Sequence, residues 1–220
     1  MSKVLPAKPL FIMLYGFPGA GKTYFARQLC ENVQAAHVQG DRIRGELFTQ
    51  PRWDAQENSV TNQLMEYMAG EFLAAGVSVV YDTNAMRTSQ RRALRDMAHK
   101  SGATPVVVWF QIDLESAFAR TAKRDRRRND DRFAAPMSAD AFKNIVRHMQ
   151  NPEATEQHIV ISGKHLFSTQ MAAMMKRLHE LKLISGEDMT HSIVKPGMVN
   201  LVPQRNAGRV DQSRRNIIIR

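Results

Sequence analysis

The chain has 220 residues, of which 43% are hydrophobic and 24% are charged, so it is long enough for one globular domain with a substantial core. A single cysteine, Cys30, excludes an internal disulfide framework and suits a reducing compartment. The apolar run at residues 10–15 is too short for a membrane span or a signal peptide. We therefore expect a cytoplasmic protein without a membrane partner.

The formal net charge of +10 is concentrated in two basic segments. Residues 120–132 contain seven Arg or Lys residues and three Asp residues, and residues 195–220 contain six basic residues and one acidic residue. Segments of this kind are often only solvated surface. They would also suit a polyphosphate or nucleic-acid partner.

Five short runs rich in Val, Ile and aromatic residues predict β-strands. They lie at residues 10–15, 37–39, 77–81, 105–111 and 158–161. The segments between them have apolar residues at helical spacing, as in Val60, Leu64, Tyr67, Met68 and Phe72, in Ala93, Leu94, Met97 and Ala98, and in Met171, Met174, Met175, Leu178 and Leu181. Gly76 and Gly102 each follow such a pattern and precede a strand, where a left-handed helix end needs glycine. This alternation predicts an α/β fold with a mainly parallel five-stranded sheet.

The first predicted strand leads directly into Gly16-x-x-x-x-Gly21-Lys22-Thr23, and a helical segment follows. This strand, loop and helix is the context that a phosphate-binding loop requires, because the loop N–H groups and the helix N-terminus surround an anion. We expect the loop to bind ATP through Gly16, Pro18, Gly19, Ala20, Gly21, Lys22 and Thr23. Lys22 would reach the β- and γ-phosphates, and the Thr23 hydroxyl would bind Mg²⁺. A loop that merely joined a strand to a helix would not need Lys-Thr after its last glycine.

Asp41-x-x-Arg44 follows the second predicted strand, at the edge of the sheet where open α/β folds bind ligands. A carboxylate at this place could accept a proton from an attacking hydroxyl, and Arg44 could hold an anionic group of the same substrate. The alternative is that Asp41 caps a helix and Arg44 is solvated.

Asp82-Thr83-Asn84 comes directly after the third predicted strand and therefore at the same edge. These three residues either line the binding site or form a polar turn that caps the helix expected near Ser89. Asp113, after the fourth strand, has the pattern of an ordinary helix N-cap.

The basic segment that begins at Arg120 follows the fourth strand, where P-loop kinases carry a lid. Its arginines could close over the phosphates and neutralise charge in the transition state. A second basic segment follows the region in which helical periodicity fades, and the apolar residues at 217–219 within it could form an edge strand or dock to a partner.

The order of these motifs resembles the polynucleotide-kinase-like group of P-loop kinases over roughly residues 10–165. The matching features are the phosphate loop, Asp41-x-x-Arg44, Asp82-Thr83-Asn84, Arg91-Arg92 and Arg120-x-x-Lys123-Arg124, followed by Pro136 and a helix at 141–149. The resemblance implies a three-layer P-loop NTPase sandwich, with a kinase domain at 1–194, a lid at about 120–136 and a basic tail at 195–220. No phosphatase domain accompanies it, and the arginine-rich lid and the tail have no counterpart.

The resemblance also implies roles for individual residues. Asp41 would be the general base and Arg44 would hold the phosphate of the acceptor. Asp82 and Thr83 would line the acceptor channel. Arg124, with Arg120 beside it, would act on the nucleotide phosphates from the lid.

The leading hypothesis is transfer of the γ-phosphoryl group of ATP to a hydroxyl, with the 5′ end of a nucleic acid as the expected acceptor. The first alternative is a kinase that acts on a small molecule such as a sugar, a nucleotide-sugar or an antibiotic. The second is a nucleic-acid-binding protein that hydrolyses ATP slowly. Scattered histidines and one cysteine indicate no metal other than Mg²⁺. The sequence does not indicate the oligomeric state.

Overall fold

The computed structural model describes residues 3–124, 131–134 and 137–185. Within these ranges one sheet contains five strands, β1 Leu10–Gly16, β2 Ala35–Gln39, β3 Ser78–Asn84, β4 Thr104–Gln111 and β5 His158–Ser162. The strand order is β2-β3-β1-β4-β5, and every pairing is parallel. The predicted α/β fold with a parallel five-stranded sheet is therefore confirmed.

Helices cover both faces of the sheet. They are α1 Lys22–Asn32, α2 Gly40–Leu47, α3 Ala55–Ala74, α4 Thr88–Lys100, α5 Leu114–Ala122, α6 Ala139–His148 and α7 Phe167–Glu180. Alternate residues of β1 point to opposite faces: Leu10, Ile12 and Leu14 join a core with α1 and α7, whereas Phe11 and Met13 join a core with α3 and α4. Since β1 is covered on both faces, every residue in it is buried.

The predicted helical ends agree with the structure at three places. Gly76 and Gly102 both have positive φ, 78° and 71°, in the turns that follow α3 and α4. Asp113 is the N-cap of α5, and its carboxylate accepts a hydrogen bond from Ser116 N at 2.8 Å.

Helix α3 differs from its expected packing. The apolar pattern at residues 60–72 correctly predicts a helix, but Tyr67 on that pattern is 66% exposed. The buried residues are instead Glu57, Thr61, Met65, Ala69 and Leu73. Polar or small residues occupy much of the buried face, so hydrophobicity alone marks the wrong side of this helix. In α7, by contrast, Met171, Met174 and Met175 are buried as predicted.

Several predicted features lie outside the described residues. These are the C-terminal tail at 195–220, with its apolar residues at 217–219, and the lid residues 125–130 and 135–136. Among the described residues, no helix is both long and apolar enough to cross a membrane.

Candidate active site

The predicted site residues meet at the carboxyl edge of the sheet, around a cavity of about 360 Å³ that we call the nucleotide pocket. The phosphate loop, α2, the end of β3 and the lid all contribute to it. The predicted residues that line it are Pro18, Gly19, Gly21, Lys22, Thr23, Asp41, Asp82, Thr83, Arg120 and Arg124. Gly16 and Ala20 are buried in the same loop, and Arg44 lies elsewhere.

The phosphate loop depends on glycine at places where a side chain would be strained or would collide. Gly19 and Gly21 have φ of 83° and 93°. A Cβ on Gly19 would lie 2.2 Å from the carbonyl oxygen of Ala117, so the loop packs directly against α5. Helix α1 begins at Lys22 with no acidic residue in its first turn and no side-chain cap, which leaves its positive end suited to an anion.

Lys22 reaches back across the loop. Its Nζ donates hydrogen bonds to the carbonyl oxygens of Gly16 and Phe17 at 2.8 and 2.9 Å. Burial lowers the pKa of Lys22 to about 8, although Asp82 opposes this change. The ammonium group is thus held over the loop, at the place where a nucleotide phosphate would need a positive charge.

Asp82 connects the phosphate loop to the neighbouring strand β2. The hydroxyl of Thr23 donates to Asp82 Oδ1 at 3.3 Å, and Asp82 Oδ2 lies 2.9 Å from His37 Nε2. A hydroxyl from the phosphate loop and a carboxylate from the adjacent strand are the pair that holds Mg²⁺ in P-loop NTPases. The sequence predicted only Thr23 as a metal ligand and did not point to His37. An acid at the end of an apolar strand was the available signal for Asp82.

Asp41 lies in the first turn of α2 and faces the nucleotide pocket. The N-cap position belongs to Gln39, so the interpretation of Asp41 as the helix cap is wrong. The pKa of the Asp41 carboxyl is raised to about 6, mainly by burial and then by the nearby Asp82, while Arg124, Arg44 and Lys22 oppose the rise. A carboxylate with a pKa close to neutral is suited to general-base chemistry.

The structure does not bring Arg44 into the nucleotide pocket. Its side chain is buried, and its Nη1 donates to Glu57 Oε2 at 3.1 Å while Nη2 donates to Asn58. The guanidinium also lies 4.5 Å from the centre of the Trp53 ring. The expected role in holding an acceptor phosphate therefore has no support from the position of the side chain. Glu57 is 13 residues away in sequence, and nothing in the motif pointed to it.

Thr83 and Asn84 continue β3 rather than form a turn. Thr83 lines the nucleotide pocket, and Asn84 accepts a hydrogen bond from Gly16 N at 3.3 Å, which ties β3 to the start of the phosphate loop. The helix that follows begins only at Thr88, and no side chain caps it. The interpretation of residues 82–84 as a capping turn is therefore wrong.

Two of the predicted lid arginines reach the nucleotide pocket. Arg120 and Arg124 both line it, and Arg120 Nη1 donates to the carbonyl oxygen of Gly163 at 2.8 Å. Gly163 follows β5, and a Cβ there would lie 2.9 Å from the carbonyl oxygen of Ala20. The loop after β5 thus packs against the phosphate loop and against α5, which carries Arg120.

Comparisons with known proteins agree with a kinase fold. A gluconokinase from Sinorhizobium meliloti 1021 has a TM-score of 0.57 and 17% identity, covering 79% of this chain and 93% of that chain. An APS kinase from Mycobacterium tuberculosis, solved with AMPPNP and APS, has a TM-score of 0.57 and 16% identity, covering 79% and 99%. At these identities the likeness shows the fold alone, which this chain shares with both kinases.

The sequence is also similar to a sulfate adenylyltransferase from Gibberella zeae, at 25% identity over 175 residues. The match covers 71% of this chain but only 30% of the length of that protein. Residues 11–152 match the family AAA_33, an AAA domain. This match includes the phosphate loop, Asp41, Asp82 and the lid arginines, and the chain therefore belongs to the AAA_33 family.

Proposed function

We propose that this protein is an ATP-dependent kinase that transfers the γ-phosphoryl group to a hydroxyl of a small molecule. The observation that carries the proposal is the placement of Asp41 in one pocket with Lys22 and Arg124. Phosphoryl transfer needs a base at the attacking oxygen and positive charge near the transferring phosphoryl group and the leaving oxygen. Asp41 can supply the first, and Lys22 and Arg124 can supply the second. A protein that only bound nucleotide would have no task for the carboxylate.

The phosphate loop supports ATP as the donor. Its glycine geometry and the uncapped start of α1 suit the α- and β-phosphates, and Lys22 suits the β- and γ-phosphates. Thr23 Oγ1 and Asp82 Oδ1 lie 3.3 Å apart, and this pair of oxygen donors fits Mg²⁺, which prefers oxygen ligands. When bound, Mg²⁺ neutralises charge on the β- and γ-phosphate oxygens.

In the proposed reaction, Asp41 accepts the proton of the acceptor hydroxyl. The hydroxyl oxygen forms a bond to the γ-phosphorus, and the bond between that phosphorus and the oxygen that bridges to the β-phosphate breaks. ADP leaves with the electron pair of that bond. Lys22 and Arg124 stabilise the negative charge that is spread over the transferring group.

A small-molecule acceptor has better support than the 5′ end of a nucleic acid. Two structural neighbours, a gluconokinase and an APS kinase, are named as kinases of small molecules, and Arg44, expected to hold a nucleic-acid phosphate, is paired with Glu57. A polynucleotide remains the second candidate because the net charge of +10 suits a polyanion. The third hypothesis, a nucleic-acid-binding protein without kinase activity, is distinguished from both by the role of Asp41.

The test is a transfer screen with γ-labelled ATP against sugars, sugar acids, nucleosides and 5′-hydroxyl DNA and RNA. Asp41→Asn should reduce transfer to the best acceptor by roughly 10²–10⁴-fold and keep ATP affinity near that of the wild type. Lys22→Ala should instead weaken ATP binding as well as transfer. Asp96→Asn, on the exposed side of α4, is the matched control and should transfer at the wild-type rate. Wild-type transfer by Asp41→Asn would refute the assignment of the base.

A further inference from the structure

A second cavity adjoins the nucleotide pocket and has aromatic walls. Its volume is about 320 Å³, and it shares Asp41 and Ala134 with the nucleotide pocket. Phe48, Trp53 and Phe133 line it. We call it the acceptor cavity, because a molecule placed in it would have Asp41 between itself and the nucleotide. Its volume is near the lower end of the range for small-molecule sites, about 300–1,000 Å³.

Contacts with neighbouring residues fix two of the three rings. Phe133 comes from the lid and lies on Gly45 of α2, where an added Cβ would be 2.5 Å from the ring carbon Cδ1. Trp53 has a φ of 60°, and its backbone N–H donates to Glu57 Oε2 at 2.9 Å. The Arg44 guanidinium covers its ring at 4.5 Å. Trp53 is therefore held by the buried residues Glu57 and Arg44. Phe133 can occupy its position only because residue 45 is glycine.

The polar groups of the acceptor cavity are few. Among the described residues that line it, four have side chains with hydrogen-bonding groups, and these are Asp41, Thr49, Arg132 and, through its indole N–H, Trp53. A polyol needs many directed hydrogen bonds, because each of its hydroxyls loses water on binding. A flat ring needs apolar or aromatic surface on which to stack, and Phe48, Trp53 and Phe133 provide it here.

We infer that the acceptor cavity binds a hydroxyl compound that carries a flat aromatic ring, of the size of a nucleoside, and directs its hydroxyl to Asp41. The inference rests on the proposed kinase function and specifies the class of its acceptor. The transfer step is unchanged: the proton goes to Asp41, the hydroxyl oxygen bonds to the γ-phosphorus, and ADP leaves.

The first experiment compares acceptors. Wild-type protein is assayed with labelled ATP against cytidine, uridine, guanosine and pyridoxine as ring compounds, and against gluconate, glucose and glycerol as aliphatic ones. The ring compounds should give the larger kcat/KM. If an aliphatic polyol is the best acceptor, the inference is overturned while the kinase function stands.

The second experiment separates binding from chemistry with Phe133→Ala and Phe48→Ala. Loss of one stacking ring should raise the KM of the best ring compound by about 5- to 150-fold and leave kcat within about threefold, since stacking acts equally on ground and transition states. Tyr67→Ala, an exposed aromatic on α3, is the matched control and should leave both constants unchanged. An unchanged KM in both Phe variants would overturn the inference.

The third experiment needs no catalysis. The chain has two tryptophans, so Trp109→Phe leaves Trp53 as the single tryptophan reporter. With AMPPNP in excess to occupy the nucleotide pocket, cytidine or pyridoxine should quench the emission of Trp53, and gluconate should not. The same quenching should persist when Asp41→Asn is added. Quenching without transfer to any compound would refute the kinase proposal and support the ring site, and absence of quenching by every ring compound would refute the ring site.

Discussion

Two buried arginine–glutamate pairs lie near the candidate site, one beside the strand that leads into the phosphate loop and one beside the acceptor cavity, and they differ in what they connect. Arg91 Nε donates to Glu156 Oε2 at 2.8 Å across 65 residues of sequence, and its guanidinium also lies 5.1 Å from the centre of the Tyr15 ring, directly before the phosphate loop. Arg44 donates to Glu57 across only 13 residues. The first pair joins distant parts of the fold, and the second fixes one wall of the acceptor cavity.

The surroundings of the two pairs strengthen this contrast. Arg91 also donates to the carbonyl oxygens of Ala85 and Gln150 at 2.9 Å each, so it satisfies the backbone of two loops. Glu57 accepts backbone hydrogen bonds from Arg52 and Trp53, which fixes the segment between α2 and α3. We therefore expect substitutions at Arg91 to lower the stability of the whole domain. Substitutions at Arg44 or Glu57 should instead disturb mainly the segment that lines the acceptor cavity.

The largest effect should come from Arg91→Ala. The side chains of Arg91 and Glu156 are 0% and 2% exposed, so the variant leaves a buried carboxylate short of a partner. Loss of one member of a buried pair costs about 3–5 kcal/mol in the free energy of unfolding. Urea denaturation followed by circular dichroism measures the change. Arg95→Ala, which removes the more exposed partner of Glu156, should cost clearly less, and equal costs would contradict the special role of Arg91.

A smaller and more local effect is expected for Glu57→Gln. Burial raises the pKa of Glu57, but hydrogen bonds from Arg52, Trp53 and Arg44 lower it more, and the net pKa is below its usual value. The charged form is therefore the one that holds the segment. The amide would release Trp53 and raise the KM of the acceptor by about 10- to 100-fold, with the KM of ATP unchanged. Equal increases in the KM of the acceptor and the KM of ATP would show that Glu57 does not act on the acceptor cavity alone.

The pH dependence should also distinguish the two sides. Asp41 acts as a base only when deprotonated, so a pKa of about 6 predicts that kcat/KM for the acceptor falls about tenfold per pH unit below pH 6. Lys22 must be protonated, so its pKa of about 8 predicts that kcat/KM for ATP falls above pH 8. A profile measured from pH 5 to 9 should show both limbs. The residual activity of Asp41→Asn should not fall below pH 6. If it still falls there, a group other than Asp41 is responsible for that part of the profile.

The parts of the structure that the sequence predicted correctly are those encoded by neighbouring residues. The phosphate loop is one continuous motif, and the glycine at position 76 and the cap at Asp113 act within a few residues of their place. Strand β3 continues three residues beyond its predicted end, because Asp82 and Asn84 still pair with the neighbouring strands despite their polarity.

The parts that sequence did not predict depend on side chains that meet only in the folded chain. His37 lies 45 residues from Asp82, and Phe133 lies far from Gly45 in sequence. Neither contact has a local signature, since a histidine in a strand or a phenylalanine in a basic segment has many ordinary explanations. The acceptor cavity forms only where residues 41–53 meet residues 132–134 in the folded chain, which explains why the motif indicated a kinase but not the chemical class of its acceptor.

The smallest effect on catalysis is expected from removal of the basic tail, residues 195–220. This segment carries six basic residues and one acidic residue, and none of the predicted site residues. If the acceptor is a small molecule, deletion should leave kcat and the acceptor KM within about twofold, because no group at the site is lost.

Any binding of the intact protein to single-stranded DNA should weaken as the salt concentration rises. The deletion should make this salt dependence less steep, since each neutralised phosphate contributes to it. Fluorescence anisotropy from 50 to 300 mM NaCl, with labelled oligonucleotide, measures both proteins under the same conditions. A fall in kcat after deletion would place the tail in the active site, and a polynucleotide acceptor whose KM rises with the deletion would return the nucleic-acid hypothesis to first place.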